Sequence, residues 1–585
     1  MKIILTTLNS KFIHSNLAIR YLKEYVRDIQ HVEIVEFTIN QQIEHIVSEI
    51  YKMAPDLVGF STYIWNIEEI LEICQTLKIV SPNTKILLGG PEVSFDGKFL
   101  LKEHPFIDYI IYGEGEDTFR EFISSSKMEK INGLIYRNKD EDICVNPPRK
   151  LLENLDKITS PYESFGDEFR NKIVYYESSR GCPFNCQFCL SSTIKGVRYF
   201  PIERVKRDIK NLIEGGVSQV KFVDRTFNAN KRYSMEIMDY IMDLNPEDVN
   251  FHFEVTAHLI DDEFLEYLRK PKPGLFQFEV GVQSTNSDTI EAIGRVTDFE
   301  KLKKITLKIK SFGNIHQHLD LIAGLPYEDY NSFESSFNDV YSIRPEKLQL
   351  GFLKLLKGSG LRNDERKYDF KYLDKPPYEI LKNKYIDYRD IIKLKGIEDL
   401  VEKYYNEGYF LHSLEFIIRN NYFSPFKFYE KFSIYWEEKQ LNKVSHSRNS
   451  LYLILLDYFR YMKFKCEDIF VELLKLDYIC NNRRQNLPNG IKRSENNLSQ
   501  SKLHPLLKNN ELLERYLSEY KDMPTKQLIN NIIVESFDYD VFRIINNEYK
   551  PYNEKSTLYI LFKYYQTNMN RYETYDITNY VEELI

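Results

Sequence analysis

Residues 178–192 read SSRGCPFNCQFCLSS, and the interpretation of the whole chain starts from this stretch. Cys182, Cys186 and Cys189 stand at a C-x3-C-x2-C spacing. Thiolates are soft ligands, and closely spaced cysteines commonly hold iron–sulfur clusters. Three cysteines leave one iron of a four-iron cube without a protein ligand. The spacing therefore predicts a [4Fe-4S] cluster whose fourth iron can bind a small molecule.

Two other interpretations of the three cysteines are open, a structural zinc site and three unconnected thiols. Structural zinc sites usually combine a two-residue spacing with a second such pair or with histidine, and the sequence offers no such partner nearby. The other four cysteines lie in helical or strand-like surroundings, and we assign them to packing. Their alternative role is to quench a radical or to donate a hydrogen atom. They are Cys74, Cys144, Cys466 and Cys480.

The composition is that of an ordinary globular protein. Of the 585 residues 43% are hydrophobic and 28% charged, and the length predicts two to four domains. A net charge of -8 gives no general attraction to nucleic acid or to anionic membranes. No apolar run approaches the ~20 residues of a membrane span, and MKIILTTLNSKFIHS reads as a first strand, not a signal peptide. Because neither a signal peptide nor a membrane span is indicated, we expect a cytoplasmic protein, in which clustered cysteines favour metal over disulfides.

Residues 1–140 alternate short apolar runs with amphipathic stretches, which predicts βαβ units and a parallel sheet. The expected class is α/β, with a flavodoxin-like (Rossmann-type) N-terminal domain. Its predicted strands are residues 3–8, 32–37, 57–60, 86–88 and 109–111. Residues 141–170 carry NPPRK and TSPYESFGD and are predicted to be a linker.

Residues 171–368 form a second strand–helix series. Its candidate strands are IVYYESS, QVKFVDR, FHFEVTA, LFQFEVGV, HQHLDLIAG and KLQLGFL. Six such strands predict a partial (β/α)6 barrel of TIM type, with its chemistry at the carboxyl ends of the strands. The cysteine stretch follows the first of them. Residues 369–585 are aromatic-rich and predict a mostly α-helical C-terminal domain of unassigned role.

The cysteine run, with the aromatic Phe188 before its last cysteine, resembles the CxxxCxxC motif of the radical S-adenosylmethionine (SAM) superfamily. The resemblance covers residues 173–365. It implies that the open iron binds the amino and carboxylate groups of SAM and that one-electron reduction yields a 5′-deoxyadenosyl radical. In such enzymes the cofactor supplies the radical chemistry, and the protein positions it and excludes water.

Further segments of the barrel resemble the SAM contacts of that superfamily. VDRTFN corresponds to the segment near the methionine amino end, FEVTA points into the same mouth, EVGVQS lies near the ribose and LIAGLPYED near the adenine. One polar residue in a buried strand is as often structural as functional, so the order of the segments carries this prediction. The implied SAM residues are Phe188, Asp224, Glu254, Glu279, Gln283 and Gly324.

The loops STYIWN, GGPEVSF and YGEGED follow predicted strands three to five of the N-terminal sheet. Open α/β sheets bind ligands at these carboxyl ends, and glycines allow a flat ligand to approach the backbone. GGPEVSF and GEGED ahead of CxxxCxxC resemble the cobalamin (B12)-binding radical SAM proteins, and the C-terminal region resembles their DUF4080 extension. The implied cobalamin residues are Ser61, Thr62, Gly89, Gly90, Pro91, Glu92, Gly113, Glu114 and Gly115.

The D-x-H-x-x-G signature of cobalamin proteins with a histidine axial ligand is absent, and the loop reads NSKFIHSNLA instead. His14 is a possible axial ligand, although its spacing differs from that motif. A cobalamin without a protein axial ligand is the preferred version. Loss of cobalamin with retention of the fold also stays open.

The resemblance implies an enzyme that cleaves SAM reductively and uses cobalamin to methylate an unactivated carbon or phosphorus centre. The enzymatic alternative is a rearrangement, a cyclisation or an oxidation without methylation. A regulator that binds the cluster or cobalamin without turnover belongs to a different class. The expected partners are an unknown small-molecule substrate and an electron donor such as flavodoxin or ferredoxin.

Overall fold

The protein is described by a computed structural model that covers residues 1–584 except 126, 164, 166, 484–485, 521–522, 553 and 565–571. Contacts divide the chain into two compact units, which are described separately. Unit 1 comprises residues 1–333 and 350–391, and unit 2 comprises residues 334–349 and 392–585. None of the helices in the described part combines the length and apolarity of a membrane span.

Unit 1 begins with a sheet of order β2-β1-β3-β4-β5-β6-β7. Strands β1 to β5 pair in parallel, which confirms the flavodoxin-like prediction. All seven residues of β1 are buried, as expected for a central strand covered by helices on both faces. The elements are β1 (Ile3–Asn9), α1 (Leu17–Tyr25), β2 (Val32–Thr38), α2 (Ile43–Lys52), β3 (Leu57–Ser61), α3 (Ile67–Val80), β4 (Lys85–Gly89), α4 (Gly97–Glu103), β5 (Tyr109–Ile111), α5 (Glu116–Ser124), β6 (Leu134–Arg137) and β7 (Ile143–Val145).

The predicted linker, residues 141–170, begins inside this sheet, because β7 pairs antiparallel with β6. The side chain of Asn138 accepts hydrogen bonds from the backbone N–H groups of Asp140 and Asp142, at 2.9 and 2.8 Å. Such side-chain-to-backbone bonds stabilise tight turns. The short run Ile143–Val145 is thereby folded back onto the sheet, a pairing that its length and composition did not reveal.

The second sheet of unit 1 has the order β15-β14-β13-β12-β11-β8, and its described pairings are parallel. The six predicted barrel strands are confirmed. An additional hairpin, β9–β10, follows β8. The elements are β8 (Ile173–Tyr176), β9 (Ser179–Cys182), β10 (Gly196–Tyr199), α6 (Ile202–Glu214), β11 (Gln219–Phe222), α7 (Lys231–Leu244), β12 (Asn250–Val255), α8 (Asp262–Tyr267), β13 (Phe276–Gln283), α9 (Ser287–Ala292), α10 (Phe299–Phe312), β14 (Ile315–Ala323), α11 (Tyr330–Ile343) and β15 (Lys347–Phe352).

Burial alternates along the barrel strands. In β13, Phe276, Phe278 and Val280 are buried, whereas Gln277 and Glu279 between them are only partly covered. Successive side chains of a strand point to opposite faces, so the apolar set packs against the helices and the polar set lines the interior of the barrel. The same alternation in β14 gives the barrel a polar lumen.

The loop after β1 joins the two sheets of unit 1. The backbone N–H of Ile173 donates to the carbonyl of Ile13 at 2.7 Å, and the Ser15 hydroxyl donates to the carbonyl of Ile173 at 3.0 Å. His14 forms a parallel bridge with Ile173. The N-terminal domain therefore contributes a short extended segment to the edge of the barrel sheet at β8.

Unit 2 is mostly helical, as predicted, and also contains an antiparallel sheet of order β18-β19-β20, which the sequence did not indicate. Aromatic side chains such as Tyr429, Phe432 and Tyr458 fill its interior. The remaining elements of the chain are α12 (Gly360–Asn363), α13 (Glu365–Tyr368), β16 (Lys371–Tyr372), β17 (Ile380–Lys382), α14 (Tyr388–Leu400), α15 (Leu411–Asn421), α16 (Pro425–Glu438), α17 (Arg448–Tyr461), α18 (Glu467–Asn481), α19 (Gln500–Leu506), α20 (Asn510–Tyr516), α21 (Thr525–Leu528), β18 (Ile532–Phe537), α22 (Val541–Asn546), β19 (Leu558–Tyr564), β20 (Tyr572–Asp576) and α23 (Thr578–Glu582).

Candidate active site

The three clustered cysteines lie on the hairpin formed by β9 and β10. Cys182 ends β9 and pairs with Gly196, which begins β10. Gly181 has φ +98°, and a Cβ there would overlap the carbonyl oxygen of Gly196. Only glycine fits at this closed base of the hairpin. The segment between the strands carries Cys186 and Cys189 as one loop at the carboxyl side of β8.

Two of the three thiols have polar neighbours, one of which is a guanidinium. The Sγ of Cys182 lies 3.5 Å from the Thr226 hydroxyl, and the Sγ of Cys186 lies 3.8 Å from Nη1 of Arg295. Burial raises the pKa of Cys186, Arg295 lowers it, and the charges of Cys189 and Cys182 raise it, so the sulfur atoms are within electrostatic reach of one another. All seven cysteines of the chain are free.

The donor set suits an iron–sulfur cluster. Three soft sulfur ligands on one short loop match the chemistry of such clusters, and a neighbouring cation favours thiolates. Within the described residues, no three His, Cys, Asp or Glu side chains already surround a common point as metal ligands would. The residues that would hold a [4Fe-4S] cluster are Cys182, Cys186 and Cys189, and this role stays a prediction.

Asp224 holds the segment that leads into the hairpin. Its carboxylate accepts hydrogen bonds from the backbone N–H and the hydroxyl of Ser178, at 2.9 and 2.7 Å, and from the hydroxyl of Ser179 at 2.5 Å. Burial raises the pKa of Asp224 to about 6, against the lowering effect of these hydrogen bonds. A contact of Asp224 with SAM stays a prediction, and the structure shows its positioning role.

Lys221, His252 and Glu279 meet in the barrel lumen. Lys221 Nζ and His252 Nε2 lie 3.1 and 3.0 Å from the same carboxylate oxygen of Glu279. The close approach of His252 Nε2 and the charge of Lys221 outweigh burial and lower the pKa of Glu279 to about 2. Burial lowers the pKa of His252, so its imidazole is neutral at pH 7 and Lys221 supplies the balancing charge.

Two further carboxyl groups face the same lumen. Glu254 lies 3.8 Å from Nη1 of Arg225, and burial raises its pKa. Asp320 is also buried, and its pKa is raised well above the usual value by burial and by the charges of Glu279 and Glu254. The sequence analysis named Glu254 and Glu279 but missed Asp320. The alternation of β14 could have identified it, since it shares the polar face with His318.

Arg295 is a second residue that the sequence analysis missed. Its Nη2 donates to the carbonyl of Gly281 at 2.5 Å, and its Nε donates to the Thr297 hydroxyl at 3.0 Å. This guanidinium therefore connects β13 with the neighbourhood of Cys186. Arg295 is 109 residues away from Cys186 along the chain, and no short motif links the two.

The remaining predicted SAM residues lie around the same opening. Gln283 follows a bulge in β13, has φ +73° and is buried, and its Oε1 has no hydrogen-bond partner among the described atoms. Gly324 has φ +87°, and its carbonyl accepts a hydrogen bond from Asn383 at 2.8 Å. Phe188 is half-buried on the cysteine loop. Their contacts with SAM stay predictions.

The backbone is tightly packed at the carboxyl ends of β3 and β4 and open at the loop after β5. The backbone N–H and the hydroxyl of Thr62 both donate to the carbonyl of Gly89, at 2.7 and 2.8 Å. Gly90 has φ +116°, and a Cβ there would overlap the backbone of Thr62. No described heavy atom lies within 4 Å of a Cβ built at Gly113. Close backbone approach at these loops fits cobalamin.

Several predicted cobalamin residues have partners in unit 1. The carboxylate of Glu92 accepts a hydrogen bond from the Tyr378 hydroxyl at 2.7 Å, and that of Glu114 is 2.7 Å from Arg198. Nδ1 of His14 lies 2.8 Å from the Tyr175 hydroxyl, which leaves only Nε2 as a possible axial ligand. Ser61 and Gly89 end β3 and β4, Pro91 and Gly115 lie in the loops that follow β4 and β5, and all these cobalamin roles stay predictions.

A flavodoxin-like sheet followed by a six-stranded partial barrel, with three cysteines after its first strand, defines a cobalamin-binding radical SAM architecture. Family models agree along the chain. A B12 binding domain matches residues 3–123, the Radical SAM superfamily matches residues 176–340, and a protein of unknown function (DUF4080) matches residues 366–562. The chain therefore carries a B12-binding domain, a radical SAM domain and a DUF4080 domain, in that order.

Relatives of this chain include named methyltransferases. It is 28% identical over 334 residues to an uncharacterized methyltransferase of Pyrococcus horikoshii, covering 55% of this chain and 72% of the relative. It is 25% identical to the cobalamin-dependent radical SAM methyltransferase TokK of Streptomyces tokunonensis, covering 56% of this chain and about half, 51%, of TokK. OxsB, solved with aqua-cobalamin and SAM bound, shares the fold at a TM-score of 0.57 and 15% identity, over 94% of this chain and 83% of OxsB.

The cysteine assignment predicts loss of the cluster in single variants. We expect anaerobically reconstituted protein to carry about four iron atoms per chain, and Cys186→Ala to carry less than about a quarter of that amount. Cys466→Ala, a matched change at a cysteine outside the loop, retains the full content. Iron and sulfide analysis with visible absorption measures the difference. Equal iron content in both variants would contradict the assignment.

The lumen geometry predicts a pH-dependent stability effect of Glu279→Gln. Because the pKa of Glu279 falls from its usual 4.5 to about 2 on folding, its ionised form stabilises the fold above pH ~4.5. We expect Glu279→Gln to lower the free energy of unfolding at pH 7 by about 2–3 kcal/mol, and the difference to shrink as pH falls from 4.5 towards 2. Urea unfolding at several pH values measures it.

The matched control is Glu263→Gln, which removes an ion pair of a 77% exposed carboxylate with Lys231. Exposed pairs contribute little, so this change is expected to cost less than about 1 kcal/mol. A pH-independent loss in Glu279→Gln, or equal losses in the two variants, would show that the lumen carboxylate is not held in its ionised form.

Proposed function

We propose that this protein is a cobalamin-dependent radical SAM methyltransferase, acting on an unactivated carbon or phosphorus centre of a polar small molecule. The observation that carries the proposal is the cysteine hairpin at the mouth of a polar barrel, in the same unit as a B12-binding domain. The named methyltransferases among its relatives support methylation.

When bound, the cluster supplies the electron that cleaves SAM, and cobalamin supplies the methyl group. The chain's own residues position these groups. Cys182, Cys186 and Cys189 would hold the cluster, and Asp224 fixes the segment before them through Ser178 and Ser179. Arg295, beside Cys186, would place a positive charge next to the cluster.

The lumen indicates a substrate with polar groups. Interiors of related closed barrels are filled mainly by branched apolar side chains. Here Lys221, His252, Glu279 and Asp320 occupy inward positions of neighbouring strands, and burying such groups is costly without partners. A polar substrate offers them hydrogen bonds that an apolar chain cannot.

The remaining features of the proposal follow from radical chemistry. An electron donor such as flavodoxin or ferredoxin would reduce the cluster, and a reducing cytoplasm would keep its cysteines available. A rearrangement, cyclisation or oxidation would use the same hairpin and lumen without methyl transfer. A regulator would not need SAM-binding groups beside the cysteines, so that alternative is disfavoured.

The test is turnover of the reconstituted protein with hydroxocobalamin, SAM and a chemical reductant under anaerobic conditions. We expect 5′-deoxyadenosine and, with a methyl acceptor present, S-adenosylhomocysteine. Cys189→Ala should form neither above background, while Cys480→Ala should retain both. Formation of 5′-deoxyadenosine and methionine without S-adenosylhomocysteine would favour a non-methylating reaction, and absence of 5′-deoxyadenosine would contradict the proposal.

A further inference from the structure

Two arginines occupy facing positions on β9 and β10, two residues away from the cysteine loop. Arg180 on β9 pairs in register with Arg198 on β10. Their side chains are only 13% and 17% exposed. Arg180 lies two residues before Cys182, and Arg198 lies nine residues after Cys189, so the pair encloses the whole cysteine loop. Like charges in facing positions repel each other and need a shared counter-charge.

Part of that counter-charge comes from the other domain, since Arg180 also pairs with Glu177 of its own domain at 2.8 Å. Nη2 and Nη1 of Arg198 donate to the two carboxylate oxygens of Glu114, at 2.7 and 3.1 Å, and Nη1 of Arg180 lies 3.5 Å from Oε1 of Glu114. Glu114 is the middle residue of the Gly113–Gly115 turn. Arg180 also binds Glu116, the first residue of α5, at 2.6 Å. Both arginines therefore bind the Gly113–Gly115 turn, which is predicted to approach cobalamin.

The ion pairs between Glu114 and the two arginines depend on the exact position of the hairpin. Burial raises the pKa of Glu114, but the hydrogen bonds from Arg198 and from the Leu152 N–H and the charge of Arg180 bring it below its usual value. Glu114 is therefore ionised, and both of its carboxylate oxygens are engaged by Arg198, Arg180 and the Leu152 N–H. Bidentate carboxylate–guanidinium pairs require defined angles as well as distances, so displacement of the hairpin displaces Glu114 as well. Buried ion pairs often add little to the free energy of unfolding, but they can fix how two elements are placed, here the hairpin and the Gly113–Gly115 turn.

We propose that Glu114, Arg180 and Arg198 couple the two cofactor sites, so that an assembled iron–sulfur cluster strengthens binding of cobalamin. This inference rests on the proposed function, since it requires both groups to bind. Cysteine ligation fixes the hairpin, and the fixed arginines hold the Gly113–Gly115 turn in its open, binding-competent form. Arg180 and Arg198 are positioning residues, and in this proposal Glu114 acts as a third, in place of the direct cobalamin contact predicted for it from the sequence. The coupling is reciprocal, so bound cobalamin equally favours cluster assembly.

The experiment compares hydroxocobalamin affinity with and without the cluster, by equilibrium dialysis under anaerobic conditions. For the unaltered chain we expect the Kd to be about ten-fold lower after reconstitution, within the range of typical coupling between sites. In Arg198→Gln the ratio should fall below about two, while the Kd of the cluster-free form changes little. Arg198→Lys keeps the positive charge but cannot form the bidentate pair with Glu114. The ratio of the two Kd values in this variant should lie between those of Arg198→Gln and the unaltered chain.

Arg120→Gln is the matched control. Arg120 makes a bidentate pair with Asp28 at 2.6 and 2.7 Å within the N-terminal domain and has no bond to the hairpin. This change should leave the ten-fold ratio intact. If Arg198→Gln fails to fold by circular dichroism, Glu114→Gln removes the same shared charge with a smaller change in shape and provides the same readout.

The outcomes separate this inference from the function it builds on. A ratio near ten in both Arg198→Gln and Glu114→Gln, or a ratio of one in the unaltered chain, would overturn the coupling while leaving a cobalamin-binding radical SAM protein in place. No hydroxocobalamin binding in either form of the unaltered chain would overturn both. A ratio lost in the hairpin variants and kept in Arg120→Gln supports the coupling.

Discussion

Buried charge, rather than an apolar core, holds the hairpin that carries the three cysteines. Asp224 binds the segment before β9, and Glu114 binds the arginines of β9 and β10. Charges removed from water must be partnered at good geometry, or they destabilise the fold. These bonds fix the position of the hairpin. They thereby also fix where the three cysteines lie relative to the barrel and to the N-terminal domain.

The same position places the cysteines between two different surfaces of unit 1. On one side the barrel lumen presents Lys221, His252 and Glu279, with Glu254 and Asp320 in the same lumen. On the other side the loop after β5 and the start of α5 connect to the hairpin through Glu114 and Glu116. Radical formation at the cysteines and methyl supply from the N-terminal domain would thus be organised around one short hairpin.

Local patterns predicted the elements but not their long-range contacts. Alternation of apolar runs and amphipathic stretches was sufficient for the parallel strands, and the C-x3-C-x2-C spacing was sufficient for the superfamily. Strand β7 was missed because its three residues stand between the charged turn at 138–142 and NPPRK, and β18 to β20 were missed within helical surroundings. The bond between Glu92 and Tyr378 joins residues 286 positions apart, and Glu114 and Arg198 are 84 apart. Such pairs depend on the tertiary fold and leave no local motif.

The candidate site divides in the same way. Residues inside a motif, such as Cys186 and Gln283, could be named from the sequence, whereas Arg295 and Asp320 required the fold to bring them near. Glu92 and Glu114 were expected at cobalamin, and the structure shows their carboxylates bonded to Tyr378 and Arg198. The glycine-rich loops therefore did not reveal that the acidic residues within them bind other side chains of the protein.

The account depends on an iron that the protein leaves open for SAM. Electron paramagnetic resonance of the reduced, reconstituted protein tests this directly, recorded with and without SAM. The account predicts a reduced four-iron signal whose g values shift when SAM is added, because the amino and carboxylate groups enter the coordination of one iron. A spectrum that is identical with and without SAM, at full cluster content, would contradict it.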